Sequence, residues 1–239
     1  MDIAEFFHTL SYMILPLMLA VVLHEYAHAW VAHYYGDATA LLHGRLTLNP
    51  LAHIDLFGTI IIPLICLLMP GGFIIGWAKP VPVTPGRLRN PRRDMAFVAA
   101  AGPAMNFVLA VLSALLLSLL LVIDPTLQAH WPPQPGIAPR RDVLGMLLLP
   151  LMAMAMFSIA INTLLFAFNL LPVPPLDGGR ILTSLLPFKP ALMLHRVEPY
   201  GMLIIVGLLF LDSHVPIIST FIGTIFHVMT TNILSSLVL

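Results

Sequence analysis

Near the start of the chain, His24-Glu25-Tyr26-Ala27-His28 sits inside an apolar stretch running from Leu10 to Val31. A helix of that length crosses a bilayer, since about 20 residues rising 1.5 Å each span a hydrocarbon core of about 30 Å. Ionisable groups inside such a helix are costly to insert and are functional by default. Positions i and i+4 share one helix face, so both histidines can reach a single metal ion. Glu25, beside the first of them, is placed to act as general base on a water that the metal activates. The stretch is too polar at Glu25 for a cleaved signal peptide, and no small-residue cleavage site follows.

Composition supports a membrane setting. Of 239 residues, 59% are hydrophobic and 9% charged, against roughly 25% charged in a soluble domain. That is too little charge to solvate a surface, which excludes a soluble enzyme. Eleven Lys and Arg cancel eleven Asp and Glu, so no net field remains to attract phosphates, and a nucleic-acid partner is excluded. Disorder is excluded by the hydrophobicity. One cysteine, Cys66, excludes an internal disulfide framework and a Cys-rich metal site.

Further apolar runs follow at 56–69, 95–123, 143–171, 200–211 and 215–239, with Asp212-Ser213-His214 as a tight polar turn. There is no internal repeat and no low-complexity segment. The chain reads as an all-α polytopic membrane protein with about five transmembrane helices, forming one domain over 1–239. Its core is 10–180, and a C-terminal helical pair occupies 198–239. Between the first and third runs lie Gly44–Leu48, whose alternation suits a strand, and Trp77–Val83. In the latter, Pro80 and Pro82 enforce extended backbone and suit an edge strand. A small membrane-associated β element is expected from these two segments.

Zinc needs a third protein ligand and an open position for water. Tyr34 stands where a third histidine of the metzincin pattern would fall, so that pattern fails. Glu198 reads better as an interfacial helix start. The stronger candidate follows the fourth long run, at Asn169-Leu170-Leu171-Pro172-Val173-Pro174-Pro175-Leu176-Asp177-Gly178-Gly179. Three prolines break the helix and two glycines permit a sharp turn. Irregular backbone at membrane depth is tolerated only where it lines a cavity or is buried in protein. Asp177 is then a carboxylate held in a cavity, although an ordinary helix end with a turn aspartate has the same spacing.

Three segments in order, His24–His28, Ala101-Gly102-Pro103-Ala104-Met105-Asn106 and Asn169–Gly179, resemble the signatures of the site-2 protease family of intramembrane zinc metalloproteases. The resemblance implies that His24, His28 and Asp177 bind Zn2+, that Glu25 is the base, and that Asn169 helps stabilise the oxyanion. It places Asn106 near the site, where helix packing with a buried amide is the competing reading. The stretches 44–50 and 77–85 resemble the compact branch without PDZ or CBS domains. The apolar insert 56–73 is a departure from the family at large. The implied partners are the lipid bilayer and a transmembrane protein or peptide substrate, as in regulated intramembrane proteolysis. A zinc-binding membrane transporter without hydrolytic activity is the alternative, though it has no need of Glu25.

One ion held by residues 24, 28 and 177 requires the first and fourth long helices to run in the same direction. The insert 56–73 therefore makes no net crossing and is expected to be a re-entrant hairpin turning at Pro70-Gly71-Gly72. Nine of the eleven cations, all but Arg140 and Arg141, then share one side. By the positive-inside rule that side is cytoplasmic, which makes the N-terminus external and opens the site to the cytoplasm of a prokaryotic cell. Leu46 and Leu48 are expected to contact an unwound substrate by strand addition. His43, Asn49, His53 and Asp55 read first as loop or capping residues, and second as the lining of an aqueous entrance. The methionine-rich run 146–156 reads as adaptable packing.

Overall fold

Inside hydrocarbon every backbone N–H and C=O has to be satisfied within its own segment, so long apolar runs close into helices. The computed structural model describes residues 3–62, 65, 76–130, 142–212 and 214–238. In chain order its helices are α1 (Ile3–Tyr34), α2 (Thr39–Leu42), α3 (Pro91–Ile123), α4 (Val143–Asn169), α5 (Asp177–Leu185), α6 (Phe188–Val197), α7 (Gly201–Asp212) and α8 (Ile218–His227). Four helical stretches are long and apolar enough to cross a membrane: Phe7–Tyr34, Pro91–Ile123, Val143–Asn169 and Phe188–Asp212.

The last of these differs from the short run expected at 200–211. Helix α6, a 3-10 turn at Glu198–Tyr200 and α7 run on as 25 residues. Pro199 does not interrupt them because it falls in the first positions of the 3-10 turn, where its missing N–H costs little. Beyond α7, the Asp212 carboxylate accepts from the backbone N–H groups of Ile218 and Ser219 and closes the expected polar turn.

The described contacts form two compact units. One comprises Met1–Ala20, Pro103–Leu171 and Met202–Leu239, the other Val21–Gly102 and Pro172–Gly201. In the first, Leu117, Leu120, Leu121 and Leu127 pack on Leu148, Met152 and Ala155. Met152 thus acts as packing, as read for its run. A polar ladder crosses between α3 and α4. Asn106, fully buried, donates through Nδ2 to Asn162 Oδ1 (2.9 Å) and Ala20 O (3.2 Å). Asn162 Nδ2 donates to Ser158 O (2.9 Å), and Ser113 Oγ donates to Ser158 Oγ (2.7 Å).

The second unit has small apolar clusters, Ala29–Ala40–Val81 and Ala32–Leu88–Val98, and much irregular backbone. Among the described residues no strand forms, which corrects the expected β element. Residues 43–44 are a turn with Gly44 at φ +64°, and residues 46–47 are a bend. The 77–83 segment is extended but has no ladder. Pro80 and Pro82 remove two donors, and the buried Arg45 guanidinium links the two segments instead, donating to Lys79 O (2.6 Å) and Pro80 O (3.4 Å).

The capping reading holds for Asn49, whose Oδ1 accepts from Leu51 N (3.1 Å), and for Asp55, whose Oδ1 accepts from Gly58 N (2.7 Å). His43 and His53 bond to the Thr39 and Thr47 carbonyls. The insert begins as a π-helical turn at Leu56–Ile61. Its expected reversal at Pro70-Gly71-Gly72, like Cys66, Arg140 and Arg141, lies outside the described residues.

Candidate metal centre

Helix α1 carries both histidines on one face, one turn apart. Their rings lie nearly perpendicular, at 84°, and the two Nε2 atoms are 3.1 Å apart. Asp177 arrives from the irregular segment after α4. The prolines end α4, and the chain turns with Leu176 N bonding to Val173 O (3.0 Å). Helix α5 begins at Asp177 itself, where its N-terminal dipole favours a carboxylate. The turn is tight: a Cβ at Gly179 would lie 2.2 Å from Pro174 N, so only glycine fits there.

Asp177 Oδ2 lies 3.2 Å from His24 Nε2 and 3.3 Å from His28 Nε2. All three side chains are buried. His28 Nδ1 faces the Val98 carbonyl at 2.7 Å and so carries its proton there, which leaves Nε2 as a lone pair. Asp177 Oδ2 is buried without a hydrogen-bond donor. Lone pairs converging in this way repel one another unless a cation sits among them. A tetrahedral zinc with bonds of about 2.0–2.1 Å spaces its ligand atoms about 3.3–3.4 Å apart, and the observed triangle of 3.1, 3.2 and 3.3 Å matches that spacing. The donor set therefore fits one zinc ion with a fourth position open. The Nδ1–H bond to a carbonyl is the orienting contact that metal-ligating histidines use.

Helix α3 forms the floor. A Cβ at Gly102 would stand 2.3 Å from His28 Nε2 and 2.6 Å from His24 Nε2, so any side chain there would enter the ligand cluster. Glu25 is half-buried, and its Oε2 accepts from Val81 N–H at 2.9 Å.

The structure brings His24, Glu25, His28 and Asp177 into one unit. Asn169, at the last residue of α4 in the other unit, donates through Nδ2 to Leu165 O (3.0 Å). Asn106 belongs to that unit too, in the polar ladder. Leu46 packs against Ala29, Ala40 and Val81, whereas Leu48 is exposed. Three contributors were missed from sequence. Gly102 was visible only as part of a motif. The Val98 carbonyl leaves no signal. The Val81 N–H was signalled by its position between two prolines.

A buried His–His–carboxylate cluster with an adjacent glutamate, carried on membrane helices, is the constellation of a hydrolytic metal centre inside a membrane protein. Comparison with known proteins specifies it further. The model of Peptidase family M50 matches residues 12–211, and the chain belongs to that family. It is 37% identical over 200 residues to "Putative zinc metalloprotease YwhC" of Bacillus subtilis, covering 82% of this chain and 78% of that one. It is 31% identical over 193 residues to "Putative zinc metalloprotease Rip2" of Mycolicibacterium smegmatis, covering 80% and 64%. To the protein of the same name in Mycobacterium tuberculosis it is 30% identical over 161 residues, covering 67% and 52%. No solved structure matches the chain significantly.

Proposed function

We propose that this protein is an intramembrane zinc endopeptidase that hydrolyses peptide bonds in or near transmembrane segments of membrane-protein substrates. The observation that carries this is the convergence of His24 Nε2, His28 Nε2 and Asp177 Oδ2 within 3.3 Å of one another, one residue from a glutamate. Zinc, when bound by these three, supplies a Lewis acid that brings the pKa of water at its open position to about 7. Glu25 takes the proton of the attacking water and hands it to the leaving amine. Asn169 offers its second amide N–H to the developing oxyanion, an interaction typically worth about 2.7–4 kcal/mol. Asn106 keeps to its packing role in the ladder of α3 and α4, and the exposed Leu48, together with the partly buried Leu46, meets the unwound substrate. Membership of a peptidase family argues against the transporter reading.

The test is cleavage of a model transmembrane substrate by purified protein in liposomes. Glu25→Gln is expected to keep its zinc and lose turnover by about 10²–10⁴-fold. Cleavage at the wild-type rate would remove Glu25 from the mechanism.

The arrangement in the membrane belongs to the same reading. Residues 1–239 act as one domain, with about five crossings and a re-entrant insert at 56–73. Trp77 N donates to Gly58 O (3.0 Å), Thr59 Oγ1 donates to Trp77 O (2.9 Å) and Lys79 N donates to His53 O (2.9 Å). Residues 53–59 and 77–79, which flank the insert's undescribed part, therefore meet at one place, which supports a segment that dips in and returns. The site opens to the cytoplasm, and the N-terminus lies outside a prokaryotic inner membrane. Labelling of single cysteines at positions 72 and 84 in a Cys66→Ser background is expected to show both on the cytoplasmic side, and opposite sidedness sinks the hairpin.

A further inference from the structure

We propose that residues 77–84 form a strap that aims the Glu25 carboxylate, with the Val81 N–H as positioning donor and Arg45 as the side chain that holds the strap in register. The inference rests on the reading of Glu25 as the proton acceptor and adds what keeps it in place. A glutamate side chain has three rotatable bonds, and a base that misses its water by about 1 Å can cost roughly 10²-fold in rate. Glu25 is only half-buried, so packing alone does not fix it.

The strap fixes one of its oxygens. Val81 N–H donates to Oε2 at 2.9 Å. Among the described contacts Oε1 carries no hydrogen bond, which leaves it for the proton. Pro80 and Pro82 have no N–H, so over residues 80–82 the strap presents a single donor, aimed at the carboxylate. This accounts for the alternation Pro80-Val81-Pro82 in a segment that forms no ladder.

The strap is held on both sides of that donor. Upstream, Arg45 donates to Lys79 O (2.6 Å) and Pro80 O (3.4 Å), the carbonyls just before Val81. Arg45 is only 7% exposed, and a buried cation bonded to two consecutive carbonyls leaves the backbone little freedom to slide. Downstream, Thr84 N donates to Asp37 Oδ2 (2.6 Å) at the end of α1. The Val81 side chain packs on Ala29, one turn beyond Glu25 on α1.

The test uses the full chain, zinc-loaded, in liposomes, with kcat and KM measured on a model transmembrane substrate alongside zinc content. Val81→Pro removes the donor in a backbone already extended, and Val81→Ala keeps it. Val81→Pro is expected to lower kcat about tenfold more than Val81→Ala does, with KM and zinc content held. Arg45→Ala is expected to lower kcat by about tenfold, with much of the loss recovered in Arg45→Lys. Hydrogen exchange provides a readout apart from activity: Glu25→Ala is expected to speed exchange of the 77–84 amides about fivefold without loss of zinc. Equal kcat in the two Val81 variants overturns the proposal. So does a rise in kcat for Val81→Pro, as an inhibitory latch would give, and so does loss of zinc or unchanged exchange in Glu25→Ala. Wild-type turnover by Glu25→Gln strikes instead at the proposed function, whatever the strap does.

Discussion

Helix α3 displays two ways of placing polar groups in a membrane protein, one turn apart. At position 106 an asparagine fills the space, and its amide belongs to a ladder with Asn162, Ser158 and Ser113 in which side chains bond to one another. At position 102 a glycine leaves the space empty, and over it stand the two imidazole nitrogens that also face the Asp177 carboxylate. In the first unit the buried amides of Asn106 and Asn162 are both hydrogen-bonded, whereas the metal centre holds Asp177 Oδ2 with no donor. A polar group inside a membrane protein is structural when its bonding is spent on neighbours, and it is a ligand when several lone pairs are aimed at one point. Burial does not separate the two cases, because Asn106 and Asp177 are both buried.

The largest test of that distinction is His28→Ala, which removes a ligand atom. Zinc content and cleavage are both expected to fall to background, measured by metal analysis and substrate assay. Gly102→Ala comes next. In an ordinary helix this change is favourable by about 1 kcal/mol. Here the added methyl group meets both histidines, and zinc affinity is expected to drop about 10–100-fold, with helicity retained by circular dichroism. Normal zinc affinity would mean that α3 gives way and that the empty space is not required.

Asn106→Leu probes the other side of the comparison. It breaks the ladder and leaves Asn162 Oδ1 without its donor, at a cost of about 1 kcal/mol in detergent unfolding. Zinc content is expected to stay at wild type. A loss of turnover far beyond that destabilisation would move Asn106 from the structural class to the catalytic one.

The smallest effect concerns Asp37, buried after α1. Burial acts to raise its pKa. Hydrogen bonds from the Thr39 hydroxyl, from the Thr84 and Thr39 N–H groups, and the charge of Arg87 outweigh burial and hold the carboxyl below its usual range. A carboxyl lowered on folding contributes stability that is present above its unfolded pKa, about 3.9, and is lost as pH falls through the lower folded value. Asp37→Asn is expected to unfold at a lower temperature than wild type at neutral pH, with the two curves converging under strong acid.

The apolar length that a bilayer demands made the long helices legible, and the cost of ionisable groups in an apolar run singled out His24, Glu25 and His28. Asp177 needed the three prolines before it. What failed to read was backbone conformation that depends on distant partners. Residues 44–48 alternate like a strand but turn, because a buried Arg45 bonds across to carbonyls 34 and 35 residues away. The run 200–211 looked too short to span and became part of a longer helix, because Pro199 sits where a new turn begins. Asn49 and Asp55, by contrast, cap short helices as first read, because a cap bonds to the backbone two or three residues on and is a local property.

Sequence alone pointed to the bilayer as the solvent of this protein and to a metal as its chemistry, because hydrophobic length and the i, i+4 spacing are local properties that survive any packing. Tertiary structure alone decided which groups have unspent lone pairs, why position 102 must be glycine, and what holds Glu25. Those follow from atoms brought together from 24 to 177, and no local pattern encodes the distance between them.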